Sequence, residues 1–536
     1  MNLTPDDAAS AGLTALPGPE LVFGLIGAVG TDLALVAQSL AGHLERVGYR
    51  SHEIRVSKLL HSLDAYSNLL RDPPTSEYER VKAHMKAGTN LRERAGAGNI
   101  LALMAVSEVR QLRRELSNGA TDDERSRTPL PRTAYIIRSI KHPAEIDTLR
   151  DIYGRAFFVV SAYSPRSRRV SALATMIAES AGSANQSTFR EKAEELIRTD
   201  EEEGAPLGQS VRESFPQGDV FVDARSHEGL DASLGRFVDA VFGNPFVTPT
   251  HDEFGMFHAN AAALRSADLG RQVGAAITGD DGEIIAVGCN EVPKTGGGLY
   301  WTGSEPDHRD FQKGYDSATK FRDKLIAELS AKLLDAGWQP PEGTPRQPQQ
   351  LAELFASQGI FQGTRLQNLL EYGRAVHAEM AAITDSARRG VSIARGTLYA
   401  TTFPCHLCAR HIISAGLRRV VYIEPYPKSA AEDLYDDSLA VDPEERPTSK
   451  VAFEPFVGIS PTLYALLFRL VPSSRKDTRG NVKRWQAAKA EPRLKRFVTS
   501  YLLIEDRALG TVLRELFEQI GIRAVTSQPR PGGMTK

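Results

Sequence analysis

Three side chains in the second half of the sequence have the chemistry and the spacing of a metal site. His377 precedes Cys405 by 28 residues, and two residues separate Cys405 from Cys408. Imidazole and thiolate groups are preferred ligands of Zn²⁺, and three protein ligands leave the fourth tetrahedral position open for water. The spacing therefore predicts a catalytic zinc site held by His377, Cys405 and Cys408.

A carboxylate accompanies these ligands, because Glu379 lies two residues after His377. That separation is about 200° around a regular helix. Both side chains can therefore serve one cavity only if a helix begins there and its first turn faces the metal. Pro404 is at home in the first turn of a helix, and it predicts a helix start beside Cys405, where the positive end of the helix would stabilise a thiolate.

Two other interpretations of the cysteines remain open. His411 follows Cys408 at a spacing typical of zinc fingers, so a closed, structural site with four ligands is one of them. The second is a redox pair formed by Cys405 and Cys408. The third cysteine, Cys289, ends an apolar run and is predicted to be a buried, inert thiol. Three cysteines in 536 residues make no disulfide framework, which favours a reducing, cytoplasmic compartment.

The elements that must position these residues alternate between strand and helix. Apolar and β-branched runs predict strands in the first half at 20–26, 50–56, 133–140, 156–163 and 219–223. In the second half they predict a helix at 256–269 and strands at 271–278, 283–289, 396–401 and 419–424, the first two joined as a hairpin. Strands separated by helices are typical of a mostly parallel sheet, so an α/β fold is predicted for both halves.

Changes in composition divide the chain into four predicted segments. These are a flexible tail at 1–20, a first domain at 21–245, a second domain at 246–430 with an insertion at 291–374, and a C-terminal extension of that second domain at 431–536. Prolines and threonines that begin at Pro245 mark the connection between the two domains.

A glycine-rich turn follows the first predicted strand and precedes a helix. Gly24, Gly27, Gly30 and Thr31 lie where a P-loop would hold phosphate groups. The P-loop pattern requires Lys and then Ser or Thr after its second glycine, whereas Thr31 and Asp32 occupy those positions here. Three interpretations stay open: binding of a nucleotide (ATP, GTP or a dNTP) without efficient hydrolysis, an active kinase or NTPase, and a structural remnant.

The charge of the chain is balanced, except in one segment. A formal net charge of −2 argues against a generic nucleic-acid-coating protein and against a disordered chain. In the basic run 475–496, however, nine Lys and Arg residues accompany only Asp477 and Glu491. This run predicts contact with a regulatory nucleotide, with a regulatory RNA or with solvent alone. No apolar run reaches the roughly 18 residues that a bilayer span requires, so no membrane partner is predicted.

The two zinc motifs and the segments before them carry a specific resemblance. His377-Ala-Glu379 followed by Pro404-Cys-x-x-Cys408 is typical of zinc-dependent nucleobase deaminases. Ahead of them stand Arg271-Gln-Val-Gly-Ala and Gly288-Cys-Asn-Glu-Val-Pro293. In this order the motifs resemble those of deoxycytidylate deaminases over about 250–430. With the glycine-rich domain ahead, the whole chain resembles the bacterial anti-phage dCTP/dCMP deaminases.

This resemblance implies a fold, a cofactor and a reaction. The fold would be a P-loop kinase-like parallel-sheet domain followed by a cytidine-deaminase-like αβα domain. With Zn²⁺ bound, Glu379 would be the catalytic acid and base, and Asn290 and Ala378 would bind the substrate. The substrates would be free deoxycytidine nucleotides, dCTP or dCMP, whose depletion defends against phages. The family also implies a homo-oligomer, such as a hexamer, and the chain departs from its pattern at Glu291, where glycine is usual.

Two rival functions remain open. The same chemistry would act on a base in RNA or single-stranded DNA if the chain had a groove with stacking aromatic residues. Near the basic run, Trp485 and Phe497 are the aromatic residues available. The other rival is a P-loop regulatory protein with a structural zinc module. Glu379 speaks against it, because a module that only binds needs no proton carrier.

Overall fold

The computed structural model describes residues 18–71, 76–201, 203, 207–361, 364, 366, 371–425, 429–471, 474–493 and 500–523. The chain forms two compact units. The first comprises the described residues up to Thr250 together with those from Val457 onward, and the second comprises His251–Phe456. Most of the predicted tail 1–20 and the end of the basic run, 494–496, lie outside the described residues.

Strands and helices alternate through most of the chain. The strands are β1 Leu21–Ile26, β2 Arg50–Arg55, β3 Thr133–Arg138, β4 Phe157–Tyr163, β5 Val220–Asp223, β6 Gly274–Thr278, β7 Ile284–Cys289, β8 Thr397–Thr402, β9 Arg419–Glu424, β10 Leu439–Val441, β11 Val451–Pro455 and β12 Gly458–Ile459. The helices of eight residues or more are α1 Leu33–Arg46, α2 Glu77–Ala95, α3 Ile100–Leu116, α4 Pro143–Tyr153, α5 Arg166–Ser180, α6 Arg190–Glu201, α7 His227–Val241, α8 His251–Ala263, α9 Ser317–Asp335, α10 Pro348–Ser357, α11 Ala378–Arg389, α12 His406–Ser414 and α13 Pro461–Phe468.

The first unit is built on a six-stranded sheet in the order β12-β5-β4-β1-β3-β2. Strands β1 to β5 are parallel to one another, and β12 pairs antiparallel with β5. Side chains of β1 alternate between two cores: Val22 and Ile26 pack in one, and Leu21, Phe23 and Leu25 in the other. A strand buried on both faces is typical of a parallel sheet covered by helices on each side. The α/β prediction is confirmed here, and the narrower P-loop kinase-like fold stays a prediction.

The second unit is also built on a six-stranded sheet, in the order β10-β11-β9-β8-β6-β7. Strands β6 and β7 form the predicted antiparallel hairpin, and β6 pairs antiparallel with β8. From β8 onward the pairs β8–β9, β9–β11 and β11–β10 are parallel. The parallel strands β8 and β9 are joined by α12, and α11 precedes β8. The α/β prediction is therefore confirmed for this unit as well.

The C-terminal segment belongs to two units, which corrects one prediction. Residues 431–456 lie in the second unit, as expected, but residues from Val457 onward lie in the first. Two contacts hold them there: β12 pairs with the edge strand β5, and Glu505 forms a buried ion pair with Arg113. Both contacts join residues more than two hundred positions apart. Local composition carries no information about such pairings, so the predicted extension 431–536 was assigned to the wrong unit from Val457 on.

Side chains of the basic run pack on the first unit. Arg475 donates from Nε to the carbonyl oxygen of Pro245 at 2.7 Å, and the indole nitrogen of Trp485 donates to the carbonyl of Phe242 at 3.3 Å. Arg493 donates to the carbonyl of Leu467. Part of the basic run therefore has a structural role within this unit. Among the described helices, none combines the length and the apolar composition needed to cross a bilayer.

Candidate active site

The three predicted zinc ligands meet at one point in the second unit. Nδ1 of His377 lies 3.3 Å from Sγ of Cys405 and 3.3 Å from Sγ of Cys408. The three ligand atoms all lie within 4.8 Å of one another. One nitrogen and two sulfur donors at these separations fit a tetrahedral zinc ion, whose bonds to sulfur are about 2.3 Å long. Among the described residues, no fourth His, Cys, Asp or Glu joins this group, and His411 is outside it.

Two helix starts place these residues. His377 is the N-cap of α11 and Cys405 is the N-cap of α12, both in extended backbone conformation. Glu379 therefore lies in the first turn of α11, where it is 4 % exposed, and the requirement that a helix begin at this position is met. The sequence had predicted Pro404 in the first turn of a helix; in the structure it instead precedes the N-cap. Partial positive charge at both helix starts favours thiolate at the metal position.

Glycines in the central strands let the helices approach the sheet closely. A Cβ added to Gly288 in β7 would lie 2.2 Å from the carbonyl oxygen of Ala378, the first residue of α11. A Cβ added to Gly274 in β6 would lie 1.9 Å from the carbonyl oxygen of Ala259 in α8. Both distances are below any van der Waals contact. The absence of a side chain at Gly288 therefore sets the depth at which Glu379 sits.

The electrostatics of the group favour metal binding. The hydrogen bond with Cys408 lowers the pKa of Cys405, with His377 contributing further, which favours a thiolate among the candidate ligands. The hydrogen bond with Cys405 raises the pKa of His377 to about 9 against the opposing effect of burial. Burial raises the pKa of Glu379, and the charge of Cys405 adds to this effect. A metal ion at this position must displace a proton from His377.

A cavity of about 560 Å³ opens beside the ligands. It is lined by His377, Cys405 and Glu379, and also by the two predicted substrate-binding residues, Asn290 and Ala378. A volume of this size suits a nucleotide. The structure therefore brings all six predicted residues of the second unit together. Five of them line the cavity. The sixth, Cys408, is 0 % exposed and does not line the cavity, but it lies beside His377 and Cys405.

The side chain of Asn290 is hydrogen-bonded to the backbone of the segment just before β6. Its Oδ1 accepts a hydrogen bond from the amide of Val273 at 2.7 Å, and its Nδ2 donates to the carbonyl of Arg271 at 2.7 Å. The next residue, Glu291, is 2 % exposed and accepts hydrogen bonds from the amides of Ala267 and Val292. Glu291 thus stabilises the turn at the position where the sequence departs from the family pattern.

The insertion 291–374 supplies a wall that the sequence did not predict. Its cavity-lining residues are Asp310, Asp316, Ala318, Thr319, Gly373 and Arg374. Arg374 donates to Oδ1 of Asp310 at 2.6 Å, and Asp316 caps α9 by accepting from the amide of Thr319 at 2.8 Å. No local pattern marks these residues, because an insertion is placed by tertiary contacts. The short distance in sequence between Arg374 and His377 was the one available signal.

The predicted glycine-rich loop of the first unit is placed at a different cavity. Gly27, Gly30 and Thr31 line a cavity of about 640 Å³, whereas Gly24 lies inside β1 and is not part of its wall. A Cβ on Gly24 would lie 2.4 Å from Ile140, and one on Gly30, whose φ is +89°, would lie 2.8 Å from the carbonyl of Arg169. Packing therefore accounts for these two glycines independently of any ligand.

Comparison with known proteins gives one family match and several partial relatives. Residues 249–424 match the family model described as the cytidine and deoxycytidylate deaminase zinc-binding region. Deoxycytidylate deaminase of Enterobacteria phage T2 is 44 % identical over 64 residues, which are 12 % of this chain and 33 % of the relative. ComE operon protein 2 of Bacillus subtilis (strain 168) is 36 % identical over 66 residues, 12 % of this chain and 35 % of the relative. The chain thus spans about a third of the length of the curated relatives that it matches.

Among solved structures, one that is similar is the dCMP deaminase of cyanophage S-TIM5 in complex with dCMP and dUMP. The alignment covers 39 % of this chain and 98 % of the cyanophage chain, at 19 % identity and a TM-score of 0.22. The apo form of the same enzyme matches at 16 % identity, with a TM-score of 0.20. The matched family region contains all three converging ligands. Residues 249–424 are therefore similar to the cytidine and deoxycytidylate deaminase zinc-binding region.

Proposed function

We propose that the second unit is a zinc-dependent hydrolytic deaminase of free deoxycytidine nucleotides, which converts dCTP, dCMP or both into dUTP or dUMP and ammonia. One observation carries this proposal: the buried carboxyl group of Glu379 shares a cavity with His377 and Cys405. The match of residues 249–424 to the deaminase zinc-binding region supports it.

His377, Cys405 and Cys408 would hold the zinc ion, which when bound activates water for attack on a ring carbon. Glu379 is the one carboxyl group in the first turn of α11, and it is no ligand in this arrangement. It accepts a proton from the attacking water and delivers it to ring nitrogen 3 of the cytosine. The water oxygen adds at carbon 4, and Glu379 then transfers the proton of the resulting hydroxyl group to the amino group, so that the carbon–nitrogen bond breaks, ammonia leaves and the carbonyl group of uracil forms.

The raised pKa of Glu379 suits both proton transfers. A carboxyl group that titrates near the working pH both accepts and releases protons readily, and burial moves Glu379 in that direction. The amide group of Asn290 has one donor and one acceptor position beyond its two backbone hydrogen bonds, and with these it would hold the sugar. Ala378 would contact the base.

The decisive experiment is a direct assay of the purified full chain with zinc. Incubation with dCMP and with dCTP, separately, should release ammonia and the corresponding deoxyuridine nucleotide. A chelator should remove the activity, and added Zn²⁺ should restore it. Cytosine-containing oligonucleotides should give no product. Turnover of oligonucleotides without turnover of either free nucleotide would reject the proposed substrate class in favour of polynucleotide editing.

The proposal extends to a cellular role and to regulation. Depletion of the deoxycytidine nucleotide pool would limit phage replication, in line with the resemblance of the whole chain to anti-phage deaminases. Phages should form fewer plaques on a bacterial strain that expresses the chain than on one that expresses the Glu379→Gln variant. We also propose that the chain forms a homo-oligomer, such as a hexamer, which light scattering would test. Regulation would come from a nucleotide bound at the glycine-rich loop or from RNA bound at the basic run.

A further inference from the structure

A carboxylate occupies the glycine-rich loop of the first unit. The backbone amide of Val29, in the middle of the loop, donates to Oδ2 of Asp200 at 2.6 Å. Asp200 lies in the last turn of α6 and is 0 % exposed. Backbone amides in a loop between a strand and a helix are the groups that bind phosphate oxygens in nucleotide sites. Here the protein supplies the anion from its own chain.

A lysine from the loop after β3 forms an ion pair with this carboxylate. Nζ of Lys141 lies 2.8 Å from Oδ1 of Asp200 and donates to the carbonyl oxygen of Gly27 at 2.9 Å. Lys141 follows β3, whereas a P-loop takes its lysine from the loop itself, at the position that Thr31 occupies here. The ammonium group that the sequence lacks at the glycine-rich loop is therefore supplied by the loop that follows β3, the strand paired with β1.

The same cavity contains a buried cationic group with unused hydrogen-bonding capacity. Arg92 lines the cavity and is 1 % exposed, yet its Nη2 has no hydrogen-bond partner among the described residues. The hydroxyl of Thr31 in the loop is likewise buried without a partner. Buried polar groups normally have partners, and a missing one points to a ligand or a water molecule. Among the other residues of the wall, apolar side chains would accept a base: Leu60, Val81, Met85, Leu101 and Met176.

We propose that Asp200 stands in for a phosphate group at this loop and that a nucleoside monophosphate displaces it. The phosphate would take the amide of Val29 and the ammonium of Lys141, both of which Asp200 now engages. A volume of about 640 Å³ accommodates a nucleotide. This inference deepens the proposed regulatory nucleotide site and is independent of the deaminase chemistry.

The start of α1 limits the ligand to a single phosphate. Asp32 caps this helix, and its Oδ1 accepts from the amides of Ala34 at 3.1 Å and Leu35 at 3.0 Å. A second or third phosphate extending along the loop would meet the charge of Asp32 in place of free amides. The cavity therefore binds a monophosphate in preference to a triphosphate.

The test measures binding of AMP and of ATP to the full chain by titration calorimetry, since neither carries the cytosine that the second unit would deaminate. Asp200→Asn removes the competing charge and should tighten AMP binding at least tenfold. Lys141→Met removes the cation and should weaken it at least tenfold. In each protein, ATP should bind more weakly than AMP. Glu201→Gln is the matched control, because its carboxylate pairs with Arg166 and Arg169 and not with the loop.

Each outcome has one meaning. AMP binding that is no tighter in Asp200→Asn than in the parent chain, or unchanged in Lys141→Met, overturns the displacement proposal while leaving a nucleotide site in place. Absence of AMP binding in every protein rejects the nucleotide site as well. Thermal unfolding shows whether each variant folds, and Asp200→Ser provides a second way to remove the charge. Turnover of dCMP is measured separately, so failure here does not bear on the deaminase proposal.

Discussion

At the scale of single residues, the environment of one carboxyl group decides what the second unit can do. Glu379 is 4 % exposed, and burial raises its pKa. It lies in the first turn of the helix that His377 caps, so the carboxyl group faces the same cavity as His377 and Cys405. A surface carboxyl group of ordinary pKa would rarely carry a proton at neutral pH and would serve poorly as an acid.

Replacement of Glu379 by Gln should separate metal binding from turnover. Gln has nearly the same shape but neither accepts nor releases a proton, so we expect turnover of the deoxycytidine nucleotide to fall about 10²- to 10⁴-fold. Zinc content, measured by atomic absorption, should remain one ion per chain. Asp385→Asn on the same helix is the control, because Asp385 pairs only with Arg388 and Arg389 on the surface. Near-normal turnover in Glu379→Gln would show that another group moves the proton.

At the scale of elements, the distance between a strand and a helix fixes the site. The first turn of α11 packs against β7 at Gly288, where the strand has no side chain. The same close approach occurs between α8 and β6 at Gly274. Protein interiors are packed densely, so a methyl group in either place forces the helix outward. A helix that moves by about 1 Å would carry Glu379 out of its working position.

Gly288→Ala should therefore lose activity as well as stability. The new Cβ would meet the carbonyl oxygen of Ala378, a backbone atom that cannot rotate away. We expect the free energy of unfolding to fall by about 1–3 kcal/mol and turnover to fall at least tenfold. Val287→Ala, at the neighbouring exposed position, should change stability by less than about 0.5 kcal/mol. Equal effects of the two substitutions on turnover would contradict this account.

A buried carboxyl group in the first unit makes the stability of that unit depend on pH. Burial raises the pKa of Asp219 from 3.8 to about 6, although its Oδ2 accepts from the amide of Val159 at 2.7 Å. The folded state then binds the proton more tightly than the unfolded state, so stability falls as the pH rises from about 4 to about 6. A shift of about two pKa units corresponds to a loss of about 3 kcal/mol above that window.

Asp219→Asn should remove this dependence, because the amide is uncharged and its oxygen can still accept from Val159. The measurement is the free energy of unfolding in urea at pH 4 and at pH 7. Between these pH values it should fall by up to about 3 kcal/mol more in the parent chain than in the variant. A difference in unfolding free energy that is the same at both pH values would show that Asp219 does not titrate between them.

At the scale of the whole molecule, the first unit is formed from two distant parts of the sequence. Arg113 is fully buried and binds two carboxylates at once: Glu20 at the start of β1, at 2.9 Å, and Glu505 near the end of the described chain, at 2.8 Å. The hydroxyls of Tyr135 and Tyr501 also donate to Glu20. These contacts fasten the C-terminal segment to the sheet of the first unit.

Arg113→Ala should destabilise the first unit strongly. It leaves the carboxylates of Glu20 and Glu505 buried without their cation, and removal of one member of a buried ion pair costs about 3–5 kcal/mol. Limited proteolysis should then cut the chain faster within residues 500–523. Arg127→Ala is the control: Arg127 also pairs with the C-terminal segment, through Asp506 at 2.8 Å, but at the surface, where the effect should be below about 1 kcal/mol. Equal proteolysis of the two variants would argue against a special role of the buried network.

Local patterns predicted most of the elements. Strands β1 to β5 of the first unit and the β6–β7 hairpin lie within three residues of their predicted bounds, because apolar runs and glycine turns are local properties. The helix predicted at 256–269 instead spans His251–Ala263, since helix ends depend on tertiary packing. Asp200, Lys141 and the cavity wall formed by the insertion escaped prediction, because each depends on residues far apart in sequence.

The sequence by itself determined the chemistry of the site. Residue types and spacing at His377, Glu379, Cys405 and Cys408 identified the candidate ligands and a candidate proton carrier, since metal chemistry selects few side chains and helix starts are marked locally. Only the tertiary structure decided that the ligands converge, that the segment beyond Val457 returns to the first unit, and that Asp200 occupies the glycine-rich loop. These are contacts between distant residues, and burial and charge pairing of that kind arise only when the chain is folded.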